Sequence, residues 1–449
     1  MTAAEFDPRA GVSQAQFDAH WMPFTGNRQF KKDPRMLVAA EGRYYQSADG
    51  RRIFDGLSGL WTCGLGHGRA ELADAVAAQM RQLDYSPAFQ FAQPKSFQLA
   101  EKIASFMPEG LNRIFYTGSG SESVETALKI ARAYWHKHGK ASKTRLIGRA
   151  KGYHGVNFGG ISVGGLAPNR ALYGGGIDAT HLPHTITPEN HFSRGMPEHG
   201  AHLADRLEDM IAMHDASTIA AVIVEPMAGS AGVIPPPQGY LQKIRDICDR
   251  HNILLIFDEV ICAFGRVGAK TGAEAFGVTP DIITMAKQLT NGTIPMGAVA
   301  FREDIYNTFM EHGGPEYALE LPHGYTYSAH PVACAAGLAA LDLSEKEDSI
   351  AQVQAIAPYF EEAAHALKGA PWVADIRNCG LAVGITLEHA PGEPLKRPYE
   401  VGMSLWEKGF YVRYGGDTVQ IAPAFAVTRQ EIDSLFNALG ETLEELGKE

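Results

Sequence analysis

At 449 residues the chain is too long for one simple hydrophobic core, and about two to three domains are expected. Its 45% hydrophobic and 20% charged content is that of a globular protein, and a net charge of −11 argues against nucleic acid or an anionic membrane surface as partner. No run approaches the ~18 uninterrupted apolar residues of a membrane span.

The first ten residues, MTAAEFDPRA, carry neither a basic nor an apolar region, so no secretory signal is expected. Cys63, Cys248, Cys262, Cys334 and Cys379 are odd in number and form no CxxC, which fits reduced thiols and a cytoplasmic setting. Residues 42–55, GRYYQSADGRRIFD, read as a hairpin around Ala-Asp-Gly.

From about residue 111 short apolar runs recur. The first, RIFYT (113–117), leads into Gly-Ser-Gly-Ser and a helical pattern over 121–138, where Val124, Ala127, Leu128, Ala131 and Trp135 share one face. Small residues ahead of a helix let a backbone approach a ligand, and the helix N-terminus favours an anion such as a single phosphate. Ser119 with Glu122 equally reads as a capping box that needs no ligand. Neither a dinucleotide fingerprint nor a P-loop is present.

Next come IAAVIV (219–224), ILLIF (253–257), IITM (282–285) and GAVAF (297–301). Unbroken apolar strands alternating with helices predict an α/β fold with a parallel sheet covered on both faces. Asp258 and Glu259 end the ILLIF strand, where ligands of such sheets bind, although a pair capping loop N–H groups fits as well. Lys287 follows IITM, either as the polar end of a strand or as a desolvated amine able to attack a carbonyl. Six histidines lie between His181 and His214, and His199 and His202 could share a helix face, but no carboxylates complete a ligand shell and no metal site is expected.

Beyond residue 331 the pattern predicts one helix, then strands in WVADIR, LAVGITL, FYVRY and TVQIAPA, and a last helix that opens on a Thr428/Glu431 capping box. The expected division is 1–65 as an N-terminal segment contributing to a small domain, 66–330 as the large domain, and 331–449 as the C-terminal small α+β domain. A lysine, an acid and a phosphate-type loop at three element ends together suit pyridoxal 5′-phosphate.

The stretches GYHG (152–155), VEPMAGSAGVIPPPQGY, FDEVICAFGRVG, PDIITMAKQLTNGTIPMGAV and HGYTYSAHPVACAAG resemble the motifs of the class III aminotransferases, fold-type I pyridoxal-phosphate enzymes. The likeness runs from about Trp61 to the C-terminus and lies nearest the ω-amino acid–pyruvate (β-alanine–pyruvate) type. It implies a seven-stranded, mostly parallel sheet with a small domain built from both chain ends. It also implies that Lys287 holds the cofactor and moves a proton, and that Asp258 pairs with the ring nitrogen. By the same likeness Tyr153 and Val260 flank the ring, while Ser119, Gly120 and Ser121 bind the phosphate. Thr326 would reach the phosphate of a neighbouring subunit, giving a dimer with shared active sites and room for tetramers. Arg413 would grip a substrate carboxylate, Trp61 would wall the pocket, and Glu225 would stand behind Arg413. Tyr153 and Trp61 also read as ordinary packing residues, and Arg413 as the solvent side of a strand. Two departures, Ala263 and Gln288 where the family often has glycine, could reshape loops near the pocket. The implied reaction takes an amino group from an ω-amino acid or amine to pyruvate. A different donor, such as 4-aminobutyrate, an ornithine-like compound or a diamine, and a same-fold aminomutase are the alternatives.

Overall fold

The computed structural model describes residues 9–448, so most of the segment read for a secretory signal, 1–8, lies outside the described residues, as does Glu449. The apolar runs pair into a seven-stranded sheet in the order Arg113–Thr117, Gly297–Phe301, Ile282–Met285, Leu254–Asp258, Ile219–Val224, Arg145–Arg149, Ala179–Leu182. The last two were not expected from the sequence. RLIGR is closed by charges at both ends and ATHL is short, so neither shows as an apolar run.

One expected orientation is corrected. Gly297–Phe301 runs antiparallel to both its neighbours, whereas the other pairings in this sheet are parallel. Between Met285 and Gly297 the chain makes only the short 3₁₀ turn Lys287–Thr290. A parallel return needs a crossover of about a dozen residues or more, normally with a helix.

Every residue of Ile219–Val224 is buried, as a strand covered on both faces requires. On one side the helix Gly120–Lys137 lays Val124, Ala127, Leu128, Ala131 and Trp135 against Ala221, Ile223, Ile256 and Val299. On the other, Ile244 and Ile247 of Tyr240–Arg250 join Val222, Val224, Leu255 and Phe257. Each fully buried aliphatic side chain contributes about 1.5–3 kcal/mol of burial, so these two layers fix the sheet from which the loops project.

A separate apolar core joins the two ends of the chain: Phe54, Leu65 and Leu72 pack with Phe360, Val401, Leu405, Val419 and Leu439. The expected hairpin forms, with Tyr44 opposite Phe54 and Tyr45 opposite Ile53. Two helices rather than one follow residue 331, Pro331–Lys346 and Ser349–His365, because the chain breaks at Asp348 in the left-handed region. FYVRY also divides. Phe410–Tyr411 pairs with Arg52–Asp55, while Arg413–Gly415 joins Thr418–Ile421 in another sheet, with buried Val412 at the switch. The last helix, Arg429–Leu446, carries both halves of the Thr428/Glu431 capping box.

Candidate active site

Five strands of the large sheet end at one edge, and the residues that leave them converge there. Lys287 follows Ile282–Met285, Asp258 ends Leu254–Asp258, and Glu225 follows Ile219–Val224. Ser119 lies beyond Arg113–Thr117, and Tyr153 and His154 beyond Arg145–Arg149. Together with Gly120, Ser121 and Val260 they line a cavity of about 180 Å³. A larger, mainly apolar groove of about 640 Å³ lies between residues 22–60 and 399–414. Of the two, the smaller cavity gathers an amine, carboxylates and a helix N-terminus.

Lys287 adopts φ +49°, a conformation side chains other than glycine seldom take and that costs on the order of 1–3 kcal/mol. The fold holds it there through its neighbours: the Gln288 side chain accepts the Gly64 N–H at 2.7 Å and Asn291 accepts that of Leu65 at 2.9 Å. Among the described residues the Lys287 amine has no hydrogen bond or ion pair. Burial pushes its ammonium below the ordinary lysine range; Asp258 and Glu225 oppose that, and the charge of Arg413 adds to it. The result is an amine inclined toward its neutral, nucleophilic form.

Asp258 is 5% exposed and fully engaged. Its Oδ1 accepts from Thr284 Oγ1 at 3.1 Å and from the Val260 N–H at 3.2 Å, and its Oδ2 accepts from His154 Nδ1 at 2.8 Å. Glu225 is likewise tied down by backbone, accepting from the Tyr153 N–H at 2.9 Å and the Gly229 N–H at 3.1 Å. Burial raises its carboxyl above the ordinary range, with His154 opposing. Glu259 faces away from the cavity: it accepts from the Gly272 and Ala273 N–H groups, and burial pushes it up to about 7.

The Gly-Ser-Gly-Ser stretch makes only half the expected capping box. Ser119 Oγ accepts the Glu122 N–H at 3.2 Å, but the Glu122 carboxylate takes the Gly118 N–H at 2.6 Å instead of that of Ser119. Gly120 and Ser121, as the first two residues of the helix, have N–H groups with no intrahelical acceptor. Ser121 Oγ accepts the Val156 N–H at 3.2 Å, folding the GYHG loop over the helix end. Gly155 permits that approach: at φ +89° it stands where a Cβ would lie 2.4 Å from Ser121 Oγ.

Three expected site residues lie outside the lining of this cavity. Trp61 is buried in an apolar cluster with Ile261, Met227 and Cys262. Thr326 is exposed, its carbonyl accepting from Tyr85 Oη at 3.0 Å. Arg413 leaves the second small sheet, close enough for its charge to act on Lys287 and Tyr153, and among the described residues it has no ion-pair partner. His154 was passed over in the sequence, where GYHG drew notice only to Tyr153; a histidine between a strand end and a glycine was the available signal. Among the described residues no group of three or more His, Cys, Asp or Glu is placed to hold a metal ion.

A sequence profile described as aminotransferase class-III matches residues 26–443. The chain belongs to the class III aminotransferase family. It is 58% identical over 432 residues to a β-alanine–pyruvate aminotransferase of Pseudomonas aeruginosa, covering 96% of each chain. It is 58% identical over 437 residues to an ω-amino acid–pyruvate aminotransferase of Pseudomonas putida, covering 97% of each. Among solved structures, a pyridoxal-phosphate-bound amine transaminase from an uncultivated Pseudomonas species superposes with a TM-score of 0.87 at 34% identity, with 95% of this chain and 98% of that one covered. The fold is therefore that of a fold-type I pyridoxal-phosphate enzyme, and pyridoxal 5′-phosphate is the cofactor of this class III aminotransferase. The residues present fit that group: an amine without a partner, a fixed carboxylate and an anion cradle face one cavity.

Proposed function

We propose that this aminotransferase passes the amino group of an ω-amino acid such as β-alanine, or of a simple amine, to pyruvate, giving alanine together with a semialdehyde from the amino acid or an aldehyde or ketone from the amine. The observation that carries the reading is the half-buried Lys287, whose amine has no partner among the described residues and faces the same cavity as the fixed Asp258 carboxylate, in a chain 58% identical to enzymes named for this reaction.

Bound in the cavity, pyridoxal 5′-phosphate supplies an electron-withdrawing ring that stabilises negative charge at the donor's reacting carbon. Lys287 would hold the group through its amine and move the proton at the reacting carbon. Asp258, held in position by His154, Thr284 and Val260, would pair with the ring nitrogen. The N–H groups and hydroxyls of Ser119, Gly120 and Ser121 would receive the phosphate, and Tyr153 and Val260 would flank the ring. Arg413 takes the carboxylate of donor or keto acid, Glu225 offsets its charge, and Trp61 backs the substrate side through Ile261.

The assembly is read as a homodimer with shared active sites. Thr326 is exposed and lies outside the lining of this chain's own cavity, which suits a residue that serves another copy's phosphate, and exposed Phe89, Phe91 and Phe97 offer apolar surface to cover. The core that Phe54 and Leu65 share with the C-terminal helices supports a smaller unit built from both chain ends, while Leu72 in that core and Ala333, Cys334 and Leu341 in the core of the large sheet lie across the expected bounds of 1–65, 66–330 and 331–449. Five cysteines outside any disulfide support a reducing, cytoplasmic setting.

The test is to supply the holoenzyme with β-alanine, with and without pyruvate. Alanine and semialdehyde formed in equal amounts, and only with pyruvate, is the expected result. An isomerised amine formed without pyruvate, or no alanine from any ω-amino acid, would refute it.

A further inference from the structure

The four-stranded sheet of Val373–Asn378, Val383–Leu387, Thr418–Ile421 and Arg413–Gly415 carries a row of residues that reaches the wall of the cavity around Lys287. Arg377, Gly384, Gln420 and Arg413 stand directly opposite one another across its antiparallel strands, and residues so paired share a face. Three of the four hold the turn 229–233, which follows Glu225. Arg377 Nη2 donates to the Gly232 carbonyl at 2.9 Å and Gln420 Nε2 to the Ser230 carbonyl at 3.0 Å. Gly384 lets the turn lie on the sheet, because a Cβ there would meet the Gly232 carbonyl oxygen at 2.1 Å. The turn in its place donates the Gly229 N–H to Glu225 and sets Ser230 in the cavity lining beside Lys287 and Asp258.

Gln420 is only half satisfied. Its side chain is 0% exposed, and because a carbonyl only accepts, the atom on Ser230 is the amide nitrogen. The other atom, Oε1, is buried without a hydrogen bond, a rare condition for an amide oxygen. Across the strands stands Arg413, half-buried, whose guanidinium has no hydrogen bond or ion pair among the described residues. Opposite Cβ atoms in an antiparallel pair lie about 4.5–5.5 Å apart, so rotation of the arginine side chain alone brings its donors to Oε1. A buried acceptor without a donor thus stands beside a donor fork without an acceptor, where the charge of Arg413 already acts on Lys287 and Tyr153.

We propose that Gln420 is a positioning residue for substrate carboxylates: its Oε1 accepts one N–H of Arg413 and aims the rest of the guanidinium at the carboxylate of donor or keto acid. The amide nitrogen, fixed on Ser230, keeps Oε1 turned toward the arginine. An amide suits this place because it accepts a hydrogen bond without neutralising the guanidinium. A carboxylate there would form the bidentate pair that the substrate needs to form.

This inference rests on Arg413 as the carboxylate grip, and the test separates the two. Holoenzyme is mixed with one donor and no pyruvate, and the concentration dependence of the loss of its lysine-bound absorbance band gives an apparent Kd. The donors are β-alanine and propylamine, which has no carboxylate. Gln420→Met should raise the Kd for β-alanine at least about tenfold and Gln420→Glu more, while propylamine shifts by no more than about threefold. Equal shifts for the two donors mark a merely structural role and overturn the proposal. If Arg413→Ala leaves β-alanine unaffected, the grip lies elsewhere and the proposal falls with it. If Arg413→Ala weakens β-alanine selectively while both Gln420 variants bind it like the wild type, the grip stands and Gln420 alone is misassigned. A crystal of wild-type holoenzyme soaked with propionate needs no variant. Propionate on Arg413, with Gln420 Oε1 within about 3.2 Å of a guanidinium nitrogen, is the expected result. A propionate-bound Arg413 out of reach of Oε1 overturns the proposal whether or not the variants fold.

Discussion

His154 Nδ1 donates to Asp258 Oδ2 at 2.8 Å, and both side chains are almost wholly buried. The imidazole fixes one carboxylate oxygen while Thr284 fixes the other. A hydrogen bond to a charged group contributes about 1.5–3 kcal/mol, so His154→Gln should lower kcat about 10–100-fold with little change in KM. Asp258→Asn should lose more, because the charge itself is removed. Steady-state kinetics of both variants with one donor checks the order; equal kcat for His154→Gln and wild type would remove His154 from the account.

Gly155→Ala should weaken cofactor binding. The new Cβ meets Ser121 Oγ, and φ +89° is unfavourable for alanine. The helix end and the GYHG loop must separate, so the phosphate cradle opens. A loss of at least about tenfold in cofactor affinity, measured by titrating the apoenzyme, is expected from ~1.4 kcal/mol or more of strain.

Arg413→Ala should distinguish donors. It should raise KM for β-alanine and for pyruvate, and leave a simple amine without a carboxylate nearly unaffected as donor at saturating pyruvate. A charge-assisted bond of about 1.5–3 kcal/mol corresponds to roughly 10–100-fold. Unchanged KM for carboxylate-bearing substrates would assign the grip to another residue.

Glu259 should leave a mark on stability against pH. Its folded-state value of about 7 lies above its ordinary value near 4.5. Between those values the native state holds a proton that the unfolded state has lost, so stability falls as pH rises from about 4.5 to 7 and then levels. Melting temperature measured over that range should fall in the wild type, and Glu259→Gln should have a flatter profile despite a lower starting point. Parallel profiles would contradict the assignment.

Much of the site could be read along the chain because each residue ends a run that declares itself. IITM before Lys287 and ILLIF before Asp258 are apolar strands whose ends must lie at the same sheet edge. The helix face of Val124, Ala127, Leu128, Ala131 and Trp135 follows from a spacing local to one element. What stayed hidden depends on distant pairings. His154 meets Asp258 across 104 residues, and the reversal of Gly297–Phe301 follows from a short connection that composition does not display. FYVRY looks like one strand, yet its two halves belong to different sheets.

Lys287 should be the residue that carries the cofactor and moves the proton. Reducing the holoenzyme with borohydride and mapping the modified peptide tests it most directly. The account predicts reduced cofactor fixed to Lys287 in the wild type. In Lys287→Ala it predicts no fixed cofactor, loss of the lysine-bound visible absorbance band and a fall in kcat of at least about 10³-fold. Label on another lysine, or transamination at the wild-type rate in Lys287→Ala, would contradict it.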